Sequence, residues 1–201
     1  AAETSKMTPL YKDPNASIES RVSDLLACMS FEEKMAQLHA FWLLLSEDGQ
    51  HKVRFDSFAG GSDPDALRKR LSHGLGQISR PLGSHSVEPR QGVRALNTLQ
   101  KFLCEETRLG IPAMTHEEGL VGLMVQGGTL FPSALAYAAT WNPYLIESVA
   151  HAIREEARSI GCHQILAPVL DVSRDVRWGR TEETFGEDPY LAGKMGAATV
   201  R

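Results

Sequence analysis

Between Asp171 and Leu191 the chain reads DVSRDVRWGRTEETFGEDPYL, which sets three arginines and six carboxylates around a single tryptophan. The stretch before it, QILAPVLDV, is short, apolar and rich in branched residues, the pattern of a buried strand. Residues just past the carboxyl end of a buried parallel strand are where α/β proteins place their chemistry. A planar indole beside guanidinium and carboxylate groups suits a sugar, whose ring face is apolar and whose hydroxyls take bidentate partners. The same composition also fits an ion-pair network that merely holds a long loop, and composition alone leaves both readings open.

Such a loop needs a framework, and the hydrophobic pattern predicts one. Residues 1–16 are polar and turn-rich and read as an extended arm, with residues 17–201 as the domain proper. Ile18, Val22, Leu25, Leu26 and Met29 repeat at helical spacing, and Ser30 to Glu33 forms a capping box that opens a second helix carrying Met35 and Leu38. Ser46 to Pro64, with Gly60 and Gly61 inside it, reads as a long loop. Asp63-Pro64 opens a short helix to about Leu71. Strands are expected at Leu75–Ser79, Pro112–His116 and Ile165–Val172. Helices are expected at Val93–Arg108, from Asn142-Pro143 to Ile160 with Leu145, Val149, Ile153 and Ile160 facing inward, and from Asp188-Pro189 onward. Strand and helix in alternation mean βαβ units and a parallel sheet, in an α/β barrel or a doubly wound fold. Only three to four such units are present, whereas a closed barrel needs eight, so the chain reads as the front part of a larger protein.

Composition removes several classes of function. Of 201 residues, 42% are hydrophobic and 23% charged, the balance of a globular domain with a true core. The net charge is −4, and the one tight basic run, Arg68-Lys69-Arg70, falls on a short helix, which is no nucleic-acid face. The greasiest segment, Phe41 to Leu45, is far shorter than a membrane span. Cys28, Cys104 and Cys162 lack metal-ligand spacing and read as small buried hydrophobes, so no metal is expected. No glycine-rich strand-to-helix turn offers a phosphate cradle. The chain begins Ala1-Ala2-Glu3, which leans towards a secreted or periplasmic protein, with the cytoplasm as the other option.

Four segments, in order, resemble glycoside hydrolase family 3. YKDPNASIESRVSDLLACMSFEEKMAQL is similar to that family's opening, and GLGQISRPLGS to its first barrel strand. RLGIPAMTHEEGLVGLMVQGGTLFPSALAYAATWNP resembles its second strand with the substrate loop, and LAPVLDVSRDVRWGRTEETFGEDP its most recognisable signature. The resemblance implies the N-terminal portion of a (β/α)8 TIM-type barrel, with the remaining strands and a second α/β sandwich domain expected beyond this chain. It implies an exo-acting, retaining β-glycosidase of the β-glucosidase/β-xylosidase branch, releasing terminal xylose or glucose from oligosaccharides or aryl β-glycosides. The N-acetylglucosaminidase branch is disfavoured, because its Gly-Gly-Arg-bearing motif is not seen.

Residue by residue, the resemblance makes Glu118, four positions before Gly122, the acceptor for hydroxyls of the terminal sugar. It makes Arg180 a donor to the same sugar, with His116 as a further candidate. Arg177, Trp178, Glu182 and Glu183 are expected to support the loop, and Asp188 to cap the last helix. Many relatives carry a histidine where this chain has Val121, so that hydrogen bond is either absent or supplied elsewhere, His116 being one source. The nucleophile Asp and the acid/base Glu are both expected beyond Arg201, so the chain alone is expected to be inactive. Hydrolysis by two carboxyls needs no cofactor. Glu118 is one methylene longer than the Asp found in many glucose-removing relatives, which crowds the space of a hexose CH2OH and leans towards xylose, by a margin small enough to leave xyloside and glucoside nearly level and dual activity open. The alternative is a non-catalytic carbohydrate-binding fragment or remnant. Oligomeric state is not legible here.

Overall fold

The computed structural model describes residues 9–45, 51–53 and 64–201. A 3-10 turn at Leu10–Lys12 leads into α1 (Ile18–Cys28), capped by Ser17, and α2 (Phe31–Gln37), where Ser30 and Glu33 form the expected capping box. There follow β1 (Ala40–Leu45), β2 (His51–Val53), α3 (Pro64–Arg70), β3 (Gln77–Ser79), α4 (Pro89–Glu105) and β4 (Met114–Glu118). The chain continues through α5 (Ala134–Ala139), α6 (Pro143–Ser159), β5 (Gln164–Leu166), a 3-10 turn at Thr181–Glu183 and α7 (Pro189–Val200).

The strands lie in the order β2-β1-β3-β4-β5. β1, β3, β4 and β5 run parallel, and β2 pairs antiparallel with β1. In register, Trp42 faces Ser79, Ser79 faces His116, and His116 faces Gln164. Successive side chains alternate across the sheet. Ile78 therefore joins the buried cluster of Leu96, Leu99 and Leu103 from α4 with Ile153 and Ala157 from α6. Gln77, Ser79 and His116 point the other way, and the His116 ring hydrogen-bonds both Gln77 and Ser79. Helices over an apolar face and polar side chains on the opposite face are the arrangement of a barrel wall.

A second cluster, Tyr137, Ala138, Ile146, Phe185, Ala192 and Met195, joins α5, α6 and α7. Phe185 is the anchor that ties the arginine-rich segment to this cluster, since it is buried while the residues from Arg174 to Arg180 are exposed.

Several expectations need correction. Ala40–Leu45 is the first strand of the sheet, although its unbroken apolar run has no alternation to distinguish strand from helix. His51–Val53 is a strand inside the segment read as loop; residues 46–50 and 54–63, including Gly60, Gly61 and Asp63, lie outside the described residues, as do 1–8 of the arm. β4 sits two residues later than expected, and β5 ends at Leu166, well before Val172. α5 was not foreseen, its six residues being mostly alanine without periodic contrast. In the first turn of α6 it is Ile146 that is buried, while Leu145 is exposed. Cys162 is buried, but Cys28 and Cys104 are exposed. The apolar stripe of α1 has no buried residue, with Ile18 71% exposed.

Candidate active site

β4 delivers Glu118 to the carboxyl edge of the sheet. The loop after it folds back at once: Met124 N–H donates to the carbonyl of Glu118 at 3.0 Å, and Phe131 N–H to that of Val121 at 2.8 Å. Gly122 makes this turn possible. Its φ is 106°, and a Cβ there would lie 2.0 Å from the carbonyl oxygen of Thr129.

Arg180 comes from the other side. The 3-10 turn at Thr181–Glu183 returns Glu183 to it, and Arg180 Nε donates to Glu183 Oε2 at 2.8 Å. Glu183 foremost, then Asp171 and Glu118 through their charge, hold the guanidinium above its ordinary pKa. Glu118 and Arg180 line one open cavity of about 560 Å3, together with Arg80, Ser133, Glu182 and Glu183. Leu120, Val121 and Met124 supply apolar wall. A larger hollow of about 770 Å3 lies beside α6, β5 and Arg201. The smaller cavity is the better candidate, because it sits past the carboxyl ends of β3 and β4, where barrels place their chemistry.

The other expected residues divide. His116 is buried and absent from the cavity wall: its Nδ1 lies 3.1 Å from Gln77 Oε1 and its Nε2 2.9 Å from Ser79 Oγ. Burial holds its pKa below the ordinary value, partly offset by the charge of Glu118. Arg177 is held by Asp175, with Nε 3.0 Å from Oδ1, and by neither Glu182 nor Glu183. Trp178 supports the loop through its carbonyl, which accepts from Thr181 Oγ1 at 2.9 Å. Glu182 is in no ion pair among the described residues and lines the cavity instead. Asp188 caps α7, accepting from Tyr190 N–H at 2.8 Å.

Two further residues matter here, of which Arg80 escaped the sequence reading. Glu117 is 1% exposed; its Oε1 accepts from Leu82 N–H at 2.8 Å and Gly83 N–H at 3.3 Å, while Oε2 has no partner. Burial pushes its pKa up to about 7, against the opposing pull of those two N–H groups and of Arg80. Glu117 thus braces the segment after β3 from beneath the cavity. Arg80 is the second, and its position one residue past a strand end was the available signal.

With the site in view, the chain can be set beside known proteins. A Formosa agariphila protein carrying a provisional beta-xylosidase name is 35% identical over 187 residues, covering 92% of this chain and 23% of its own. The periplasmic beta-glucosidase of Salmonella typhimurium is 31% identical over 181 residues, 90% of this chain and 20% of its own. The solved structure of a β-glucosidase from Erythrobacter marinus superposes with a TM-score of 0.78 at 32% identity, over 96% of this chain and 24% of that one. The chain therefore spans about a quarter of the length of such relatives, and its fold is the N-terminal portion of a TIM-type barrel. Residues 30–201 match the glycosyl hydrolase family 3 N-terminal domain, and the chain belongs to that family.

Proposed function

We propose that the polypeptide containing this chain is an exo-acting, retaining β-glycosidase that releases terminal xylose or glucose. The chain supplies the sugar-binding wall, and the nucleophile and the acid/base come from outside it. The observation that carries this reading is the meeting of Glu118 and Arg180, far apart in sequence, in one cavity at the carboxyl edge of the sheet. A carboxylate accepts from two adjacent hydroxyls, and a guanidinium fork donates to their oxygens, so the pair grips a diol from both sides. Relatives named beta-xylosidase and beta-glucosidase support the same class of substrate. Periplasmic placement of one relative agrees with export.

Between the two sugars, Glu118 favours xylose, its extra methylene filling the space a hexose CH2OH needs. One methylene discriminates by about 1–3 kcal/mol, or about 10- to 200-fold. In the full-length protein, Glu118→Asp is expected to move the ratio of kcat/KM on aryl β-xyloside and β-glucoside towards glucoside. An unchanged ratio defeats the steric account of specificity, and a wild-type protein inert on both glycosides defeats the glycosidase.

A further inference from the structure

A second guanidinium stands in the cavity wall, and the grip of Glu118 and Arg180 makes no use of it. Arg80 is the first residue past β3, on the strand beside β4, and it lines the cavity with Glu118. Its N–H donates to the carbonyl of His116 at 2.8 Å, so its backbone prolongs the sheet. Its φ is 46°, a left-handed conformation that a residue with a Cβ keeps only when its surroundings impose it.

The side chain is held from two directions, and the backbone from a third. Nη2 donates to the carbonyl of Gly83 at 2.9 Å, and the guanidinium carbon lies 5.4 Å from the centre of the Trp42 ring. The Trp42 indole N–H is bonded to the Ser84 hydroxyl, which in turn donates to the carbonyl of Arg80 at 2.5 Å. Nε is buried without an acceptor. An unfavourable backbone and an unsatisfied donor at one residue of a cavity wall are costs that proteins tolerate chiefly where the position is used.

The charge of Arg80 draws the Glu117 pKa down, but as a smaller cause than burial and the Leu82 and Gly83 N–H groups, and it does not account for the guanidinium's placement. Arg80 makes no ion pair with Glu117 among the described residues. The Glu117 carboxyl is satisfied on one oxygen by Leu82 and Gly83 N–H groups instead. A guanidinium carries five N–H donors, and Gly83 engages one of them. Its neighbours fix the group in place and leave it donors to spare.

We infer that Arg80 is a sugar-binding, specificity-determining residue, donating from its free fork atoms to a ring hydroxyl beside those that Glu118 accepts from. This rests on the glycosidase reading. A hydroxyl both donates and accepts, so an acid and a guanidinium on adjacent strands can hold one hydroxyl-bearing edge of the ring between them. A site built to bond a hydroxyl rejects the analogue that lacks it, which makes deoxy sugars the informative probes.

The test uses the full-length protein, p-nitrophenyl β-xyloside and β-glucoside, and their monodeoxy analogues. Arg80→Met is expected to lower kcat/KM on the parent glycosides about 10- to 100-fold, the effect of losing a charged hydrogen bond. On the one deoxy analogue that lacks the contacted hydroxyl, the same substitution is expected to cost less than about threefold. Arg80→Lys, which keeps charge without the fork, is expected to recover only part of the loss. Parent kinetics within about twofold of wild type overturn the proposal. So does an equal loss on every analogue, which is the signature of mere support. If Arg80→Met does not fold, Arg80→Lys carries the same comparison of parent and deoxy substrates: a loss confined to substrates bearing the contacted hydroxyl upholds the proposal, and an equal loss on all, or none, overturns it. A wild-type protein that cleaves none of these glycosides sinks the glycosidase reading separately. Calorimetric titration of xylose and glucose then decides Arg80: weaker binding in the variant upholds the proposal, and equal binding, or none to the wild type, overturns it.

Discussion

The two arginines of the cavity are held by different means. Arg80 follows directly on a strand, over the Trp42 ring, with the buried Glu117 fastening the next turn from beneath. Arg180 sits on a segment exposed from Arg174 to Arg180, held by an ion pair to Glu183 and tied to the core further on through the buried Phe185. One wall is built into the sheet, and the other is a loop laid against it. Exposed ion pairs contribute little to stability, at most about 1 kcal/mol. Defects on the loop side should therefore surface in activity, and defects on the sheet side in stability as well.

The largest effect expected is on activity. In the full-length protein, Arg180→Ala or Glu118→Ala should each lower kcat/KM by about 100- to 1,000-fold, the effect of losing the two charged hydrogen bonds that the proposed grip assigns to each. In Arg180→Ala the unfolding free energy should change by no more than about 0.5 kcal/mol. Steady-state kinetics beside denaturant titration measure both. A large loss of stability in Arg180→Ala would break the comparison.

Next comes the pH response of Glu117. Its folded pKa of about 7 lies above the ordinary carboxyl value, so the folded state retains a proton that the unfolded chain releases. Its stability contribution is full below the unfolded pKa and is lost as pH rises through about 7. The span corresponds to about 3 kcal/mol. Glu117→Gln keeps an acceptor for the Leu82 and Gly83 N–H groups and cannot ionise. Denaturant titrations between about pH 4.5 and 7.5 should show the wild type losing stability where the variant stays flat. Parallel curves would remove Glu117 from the brace.

Gly83→Ala strikes the same side by sterics. The new methyl would stand 2.5 Å from Glu117 Oε2 and 2.6 Å from the Met124 carbonyl oxygen. The expected cost is about 1–3 kcal/mol, read as a lower melting temperature. The smallest effects belong to the loop's own supports. Glu183→Ala should change stability by less than about 1 kcal/mol and lower kcat/KM only severalfold, because Arg180 stays present but less well ordered. A collapse of stability in Glu183→Ala would mean that the loop is as firmly built as the sheet.

Local features were legible where side-chain chemistry coincided with sequence spacing. Asp188-Pro189 announced the α7 cap, and the Ser30–Glu33 spacing announced its capping box. Glu118 and Arg180 followed from the family resemblance, and the structure brings both to one cavity. What stayed hidden depends on tertiary neighbours. The apolar run at Ala40–Leu45 carries no period, and only its pairing with β3 shows it to be a strand. Glu117 is indistinguishable in sequence from the acid beside it, yet alternation along β4 sends it beneath the loop while Glu118 reaches the cavity. His116 illustrates the reverse: a histidine at a strand end reads as a site residue, but Gln77 and Ser79 occupy both its ring nitrogens.

The most direct test of the sugar grip is a crystal structure of the full-length protein with xylose bound. The ring should lie in the cavity between Glu118 and Arg180, with the Glu118 carboxylate within about 2.6–3.2 Å of two adjacent hydroxyls and Arg180 donating to the same sugar. Xylose bound elsewhere in the barrel, with Glu118 and Arg180 out of its reach, would contradict the account.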